Sequence, residues 1–79
     1  MLTYALTLAE RYDGMVMATF PDIPEAMALG RDFEEARAEA RGALESALAD
    51  YAAEGRAFPE PRAYGPITVT TSFGVLAPA

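Results

Sequence analysis

One long segment with helical periodicity divides this chain and limits the folds open to it. Its apolar residues recur at three- and four-residue spacing, as one face of an α-helix requires. They are Phe33, Ala36, Ala40, Leu44, Ala47, Leu48 and Tyr51. Asp32 is a good N-cap with Glu35 three residues later, and Gly55 stands where a helix-ending glycine belongs. We therefore predict a helix from about residue 33 to 54.

The rest of the chain shows the two-residue alternation of β-strands. We predict strands at about residues 2–10, 15–20, 26–30 and 66–72. Asp13-Gly14 tolerates the positive φ of a tight turn, so the first two strands form an antiparallel hairpin. Pro21 and Pro24 should end the second strand, because proline supplies no ladder donor. The order of elements is therefore βββαβ.

This order predicts a single α+β domain over residues 1–79. Its mostly antiparallel, four-stranded sheet would have the order 3-2-1-4, with the helix packed on one face. Because crossover connections are normally right-handed and return to a parallel strand, the last strand should run parallel to the first. The other face of the sheet would be open. Met15 and Met17 could lie there as part of an interface, or they could simply fill the core.

The residues that most catalysis needs are missing. The chain has no histidine, no cysteine and no lysine, which removes the usual neutral-pH base, the thiolate and Schiff-base chemistry. A two-metal nuclease needs converging carboxylates, yet residues 3–8 and 66–79 contain none. Asp13 is more plausible as a turn former than as a ligand. We expect no enzyme, no metal or cofactor, and no small-molecule substrate.

The charge balance constrains the partners. Twelve acidic residues face six arginines, for a net charge of −6 over 79 residues. This charge repels nucleic-acid phosphates and attracts basic proteins, although it could equally serve solubility alone. The apolar runs are too short to cross a membrane and no secretory signal is visible, so we expect a cytoplasmic protein. A domain this small without disulfides often oligomerises, and we expect a homodimer or homotetramer.

Three phrases in a fixed order resemble the HicB family of type II toxin–antitoxin systems. They are FPDIPEA at residues 20–26, GRDFEEA at 30–36 and EGRAFPEP at 54–61. The resemblance covers nearly the whole chain, and its specificity lies in the order rather than in any one phrase. The sequence departs from the family at Glu25-Ala26, where members usually have a glycine and a cysteine or similar small residue.

The resemblance implies an incomplete RNase H-like domain that works as an antitoxin. It implies a small basic partner of the HicA type, an mRNA-cleaving toxin whose RNA-binding face the antitoxin covers. The residues we predict to contact a partner are Met15, Met17, Asp22, Ile23 and Glu25. For Asp22 an Asx-type turn is the more plausible role, and contact with an arginine of a partner is the functional one. Many members continue into a DNA-binding domain that we do not expect here. An orphan interaction domain without a toxin and, less plausibly, a residual metal-dependent nuclease are the other hypotheses.

Overall fold

The computed structural model describes residues 2–11 and 13–71, which form one helix and five strands. The elements are β1 (Leu2–Ala5), β2 (Thr7–Glu10), β3 (Val16–Phe20), β4 (Ile23–Gly30), α1 (Phe33–Ala53) and β5 (Thr68–Thr71). The α+β class with a single helix is confirmed. The end of the predicted last strand, Ser72, lies outside the described residues.

α1 begins at a variant of the capping box, in which the reciprocal bond goes to the residue before the cap. Asp32 has extended backbone (φ −151°), and its side chain accepts a hydrogen bond of 2.8 Å from the N–H of Glu35. The Glu35 carboxylate in turn accepts a bond of 3.0 Å from the N–H of Arg31, so two otherwise unpaired donors are satisfied. At the other end Gly55 takes the positive φ of 70° that ends a helix.

The strands are all antiparallel and form two sheets, where we predicted one. The first sheet has the order β2-β3-β4, and β1 pairs with β5 in the second. The predicted first strand is divided at Leu6, which is buried and whose N–H donates to the carbonyl of Ile67 over 2.9 Å. Before this residue the chain pairs with β5, and after it the chain pairs with β3.

The predicted parallel pairing of the first and last strands is wrong. Leu2 lies opposite Thr71 and Ala5 opposite Thr68, so β5 is antiparallel to β1. The crossover rule applies when a helix returns the chain directly to the next strand. Here residues 54–67, which we call the return segment, separate α1 from β5 and allow the chain to enter β5 from the opposite direction.

β4 begins at Ile23, earlier than the predicted residue 26, and it includes Pro24. The reason is a bulge: Phe20 pairs with Ile23, whereas the preceding residue, Thr19, pairs with Met27. Residues 24–26 therefore have no partner opposite them, and the proline interrupts no ladder hydrogen bond.

The core lies between α1 and the inner faces of the sheets. Its largest fully buried side chains are Tyr4, Phe20, Ile23, Leu44, Leu48 and Thr71. The N-terminal half of the helix contributes the small residues Ala36 and Ala40 instead, which allow close approach to the sheet. Phe33, which the spacing placed on this face, is 48% exposed. α1 also lacks, in the described part of the chain, the long apolar stretch that crossing a membrane requires.

Candidate interaction surface

The side of the β2-β3-β4 sheet away from α1 carries an apolar patch. Along β3, Val16, Ala18 and Phe20 are buried in the core, so the alternating residues point to the other side. The register extends this side across the sheet. We call it the outer face, and it consists of Thr7, Ala9, Met17, Thr19, Met27 and Leu29.

The outer face exposes large apolar side chains on β4. Met27 is 57% exposed and Leu29 is 41% exposed, and Leu29 lies directly opposite Met17. Met17 itself is half-buried, as is Met15 just before β3. Adjacent exposed apolar side chains of this kind are typical of a surface that binds another protein.

Asp22 anchors the return segment. Its Oδ2 atom accepts hydrogen bonds from the N–H groups of Arg62 (3.0 Å) and Ala63 (2.9 Å). The Asx-type turn considered from the sequence would have used a nearby N–H, whereas these donors follow forty residues later along the chain. Ile23 next to it is fully buried and offers a partner no side-chain surface. The predicted contact role of Asp22 stays a prediction.

Glu25 joins α1 to the return segment. The Tyr51 hydroxyl donates to its two carboxylate oxygens at 3.0 and 2.8 Å, and the Arg56 guanidinium lies 3.6 Å away. Arg56 also stacks over the Tyr51 ring, 4.0 Å from its centre, and pairs with Glu54 at 2.7 Å. The hydrogen bond from Tyr51 is the main cause that lowers the pKa of Glu25, and Arg56 adds to it. The same bond raises the pKa of Tyr51.

A second tyrosine holds the return segment from the sheet side. The buried Tyr4 donates its hydroxyl hydrogen to the carbonyl of Pro59 over 2.6 Å, and burial raises its pKa. Sequence reasoning missed this bond because its partners are fifty-five residues apart. Nothing local distinguishes Tyr4 from an ordinary core residue.

The five residues predicted to bind a partner therefore lie in three places. Met15 and Met17 are near or on the outer face, Asp22 and Glu25 hold the return segment, and Ile23 is in the core. Within residues 2–11 and 13–71, no three acidic side chains converge to hold a metal ion. This arrangement can bind another protein through the outer face while its polar network keeps the fold together.

Comparison with known proteins identifies the class. A family model described as "HicB_like antitoxin of bacterial toxin-antitoxin system" matches residues 3–77. Among solved structures, the N-terminal domain of the Burkholderia pseudomallei antitoxin HicB is similar, with a TM-score of 0.61 and 17% identity over 96% of this chain and 81% of the other. At this identity the likeness concerns the fold. A search of curated proteins finds no match.

The sequence match spans nearly the whole chain, and the fold agrees with it. The chain belongs to the HicB-like antitoxin family of bacterial toxin–antitoxin systems.

Proposed function

We propose that this protein is an antitoxin that binds a small, basic, mRNA-cleaving toxin of the HicA type and covers its RNA-binding surface. The observation that carries the proposal is the family match over residues 3–77. Membership of an antitoxin family implies a toxin partner in general and points to a non-catalytic role. A partner that cleaves mRNA would be met in the cytoplasm.

The charge and the outer face suit this role in different ways. A net charge of −6 attracts a basic protein over a distance and speeds encounter. Affinity then depends on desolvated apolar contact, which Met27 and Leu29 can supply. We propose that the toxin contacts the outer face, where the half-buried Met17 lies opposite Leu29. Nucleic acid, cofactors and small-molecule substrates have no place in this mechanism.

The experiment is co-purification with the small basic protein encoded next to this gene. The two proteins should co-elute in size-exclusion chromatography at micromolar concentration and low salt. The M27T/L29T variant should bind about tenfold more weakly or worse, since two apolar anchors are lost. F33T is the matched control because Phe33 is similarly exposed but lies on α1. It should bind like the unchanged protein.

Two outcomes would contradict the proposal. If the unchanged protein did not co-elute with the small basic protein, the proposed toxin partner would be contradicted. If F33T and M27T/L29T weakened binding equally, the outer face would not be the contact surface. A gene neighbourhood without any small basic protein would favour the orphan interaction domain instead.

We also propose that the protein self-associates into a homodimer or homotetramer. β4 is at the edge of its sheet. Among residues 2–11 and 13–71, no strand pairs with the edge of β4 that faces away from β3. Such an edge can pair with the same edge of a second copy around a two-fold axis and leave the outer face accessible. Light scattering at tens of micromolar should give the mass of a dimer or tetramer. A monomer mass would refute this.

A further inference from the structure

The six arginines of this acidic chain differ in whether they form ion pairs with carboxylates. Four of them form ion pairs with carboxylates within 4 Å, and these are Arg11, Arg31, Arg56 and Arg62. In the described part of the chain, Arg37 and Arg41 form none, although the sequence places Glu45 one turn after Arg41. Both are exposed on α1, one turn apart. The two arginines without a carboxylate within 4 Å are therefore neighbours on one stretch of the helix.

These two arginines line a groove between α1 and β5. Its walls are Glu34, Arg37, Ala38 and Arg41 on the helix and Thr68 and Val69 on the strand. Val69 faces the core and is largely buried, whereas Thr68 is exposed. The groove thus has an apolar floor beside the strand, and its helix side carries two arginines and, at one end, the Glu34 carboxylate.

The strand that borders the groove belongs to a sheet of two strands among the described residues. β5 pairs with β1 on one side, and no strand in the described ranges pairs with the other side. The carbonyl of Ile67 points to β1, where it accepts from Leu6. Because backbone groups alternate along an antiparallel strand, the N–H and C=O of Thr68 point to the outer edge. An edge strand beside a helix is the geometry in which many domains add an extended peptide.

The spacing of the charges fits such a peptide. Arg37 and Arg41 are about 6 Å apart along the helix axis. Alternate residues of an extended strand are spaced by about 6.7 Å and point to the same face. Two carboxylates separated by one residue therefore have nearly the spacing of the two arginine positions along the helix. We propose that this groove binds an extended acidic segment of another protein, which pairs with the edge of β5 and places alternate carboxylates on Arg37 and Arg41.

Charge identifies the occupant as a different protein. A nucleic acid presents a phosphate at every nucleotide, so most of its charges would have no cation in this groove, whereas a segment with two carboxylates needs only the two arginines. A second copy is disfavoured because its described strands carry carboxylates only at Glu10 and Glu25. Glu25 is already bonded to Tyr51 and Arg56. The groove is distinct from the outer face and does not depend on toxin binding.

The test is an NMR titration of the isotope-labelled full chain with the capped peptide GTEVEVTG. Amide shifts should move at Thr68–Thr70 and at residues 34–41 and leave the outer face unchanged. The neutral peptide GTQVQVTG should bind about fivefold more weakly or not at all, because exposed ion pairs contribute modestly but add up. R37Q/R41Q should lose the preference for the acidic peptide.

The matched control is R11Q/R62Q, which removes two positive charges elsewhere and should keep that preference. An equal loss of preference in both variants would mean that overall charge, and not the groove, selects the acidic peptide, and it would refute the site. An acidic peptide that causes no amide shift at millimolar concentration would also refute the site. A single-stranded DNA oligonucleotide that shifts the same amides at lower concentration than the peptide would overturn the choice of a protein partner.

Discussion

At Gly30 the fold depends on the absence of a single carbon atom. A Cβ placed there would overlap the backbone N of Ala36 and lie 2.6 Å from its Cα, and a backbone cannot rotate away as a side chain can. Gly30 ends β4 just before α1 begins, so this contact sets how closely the helix starts against the sheet.

Replacement of Gly30 by alanine should destabilise the protein strongly. Overpacking a rigid contact costs about 1–3 kcal/mol or more, which is a large part of the stability of a small domain. Urea unfolding should show a midpoint well below that of the unchanged protein, or no folded state. An unchanged midpoint would contradict the contact.

Gly42 provides the opposite case. A glycine inside a helix can mark a place where another element packs closely. At Gly42 this is not the case, because nothing lies within 4 Å of a Cβ built at this exposed position in the middle of α1. G42A should stabilise the protein by about 0.5–1 kcal/mol because alanine restricts the unfolded chain and favours helix. A lower urea midpoint for G42A would show that the glycine has a structural use.

The Asp22 carboxylate should contribute to stability through the two N–H groups it accepts. D22A should cost about 1 kcal/mol, because water replaces the carboxylate at partly exposed donors. Hydrogen exchange should quicken at Arg62 and Ala63 specifically. D50A removes the same charge from the exposed side of α1 and should leave both amides protected. If D22A left the exchange of these amides unchanged, the anchor would not exist in solution.

At the scale of elements, two tyrosines hold the return segment by chemically different bonds. Tyr51 donates to the Glu25 carboxylate, whose charge depends on pH. Tyr4 donates to the Pro59 carbonyl, which is neutral and does not titrate. The pKa of Glu25 is lowered below the usual 4.5 in the folded protein. The ionised carboxylate therefore stabilises the fold above pH 4.5, and this stabilisation is lost as the pH falls through the folded pKa.

Y51F should thus be destabilised most at neutral pH, and the difference from the unchanged protein should shrink as the pH falls below 4.5. Removal of the hydroxyl should also raise the pKa of Glu25, measured by NMR titration of its carboxyl carbon. The cost of Y4F should stay constant over the same acidic range. Parallel pH profiles for the two variants would contradict the assignment.

Comparison of the elements shows which of them local sequence determines. α1 could be predicted because its apolar spacing, the Asp32 cap and Gly55 all lie within the segment they define. The direction of β5 could not, since it follows from a return segment held by partners forty and fifty-five residues away. The RNase H-like relationship stays a prediction.

The partner residues show the same division. Alternation along β3 indicated that Met17 could lie on an open face, and it does lie on the side away from α1. The burial of Ile23 depends on the bulge opposite Phe20, which no local pattern reveals, because two prolines hide the alternation. The local sequence does not distinguish Arg37 and Arg41 from the other four arginines, since only the structure shows which arginines lack a carboxylate within 4 Å.

At the scale of the whole molecule, the net charge and the outer face have opposite effects on self-association: the charge opposes it and the apolar side chains favour it. At neutral pH six excess negative charges on a molecule with a radius of gyration of 12.6 Å repel other copies. Near the isoelectric point of 4.3 this repulsion disappears, while Met27 and Leu29 remain exposed. Self-association beyond the neutral-pH mass should therefore increase as the pH approaches 4.3.

The outer face makes this prediction specific. If apolar contact drives the association, M27T/L29T should show a markedly smaller mass increase in light scattering near pH 4.3, whereas F33T should behave like the unchanged protein. Circular dichroism at each pH distinguishes association of the folded protein from aggregation of unfolded chains. An equal mass increase in all three proteins, with the fold retained, would mean that loss of charge alone causes association. In that case the apolar side chains of the outer face would not be what drives self-association at low pH.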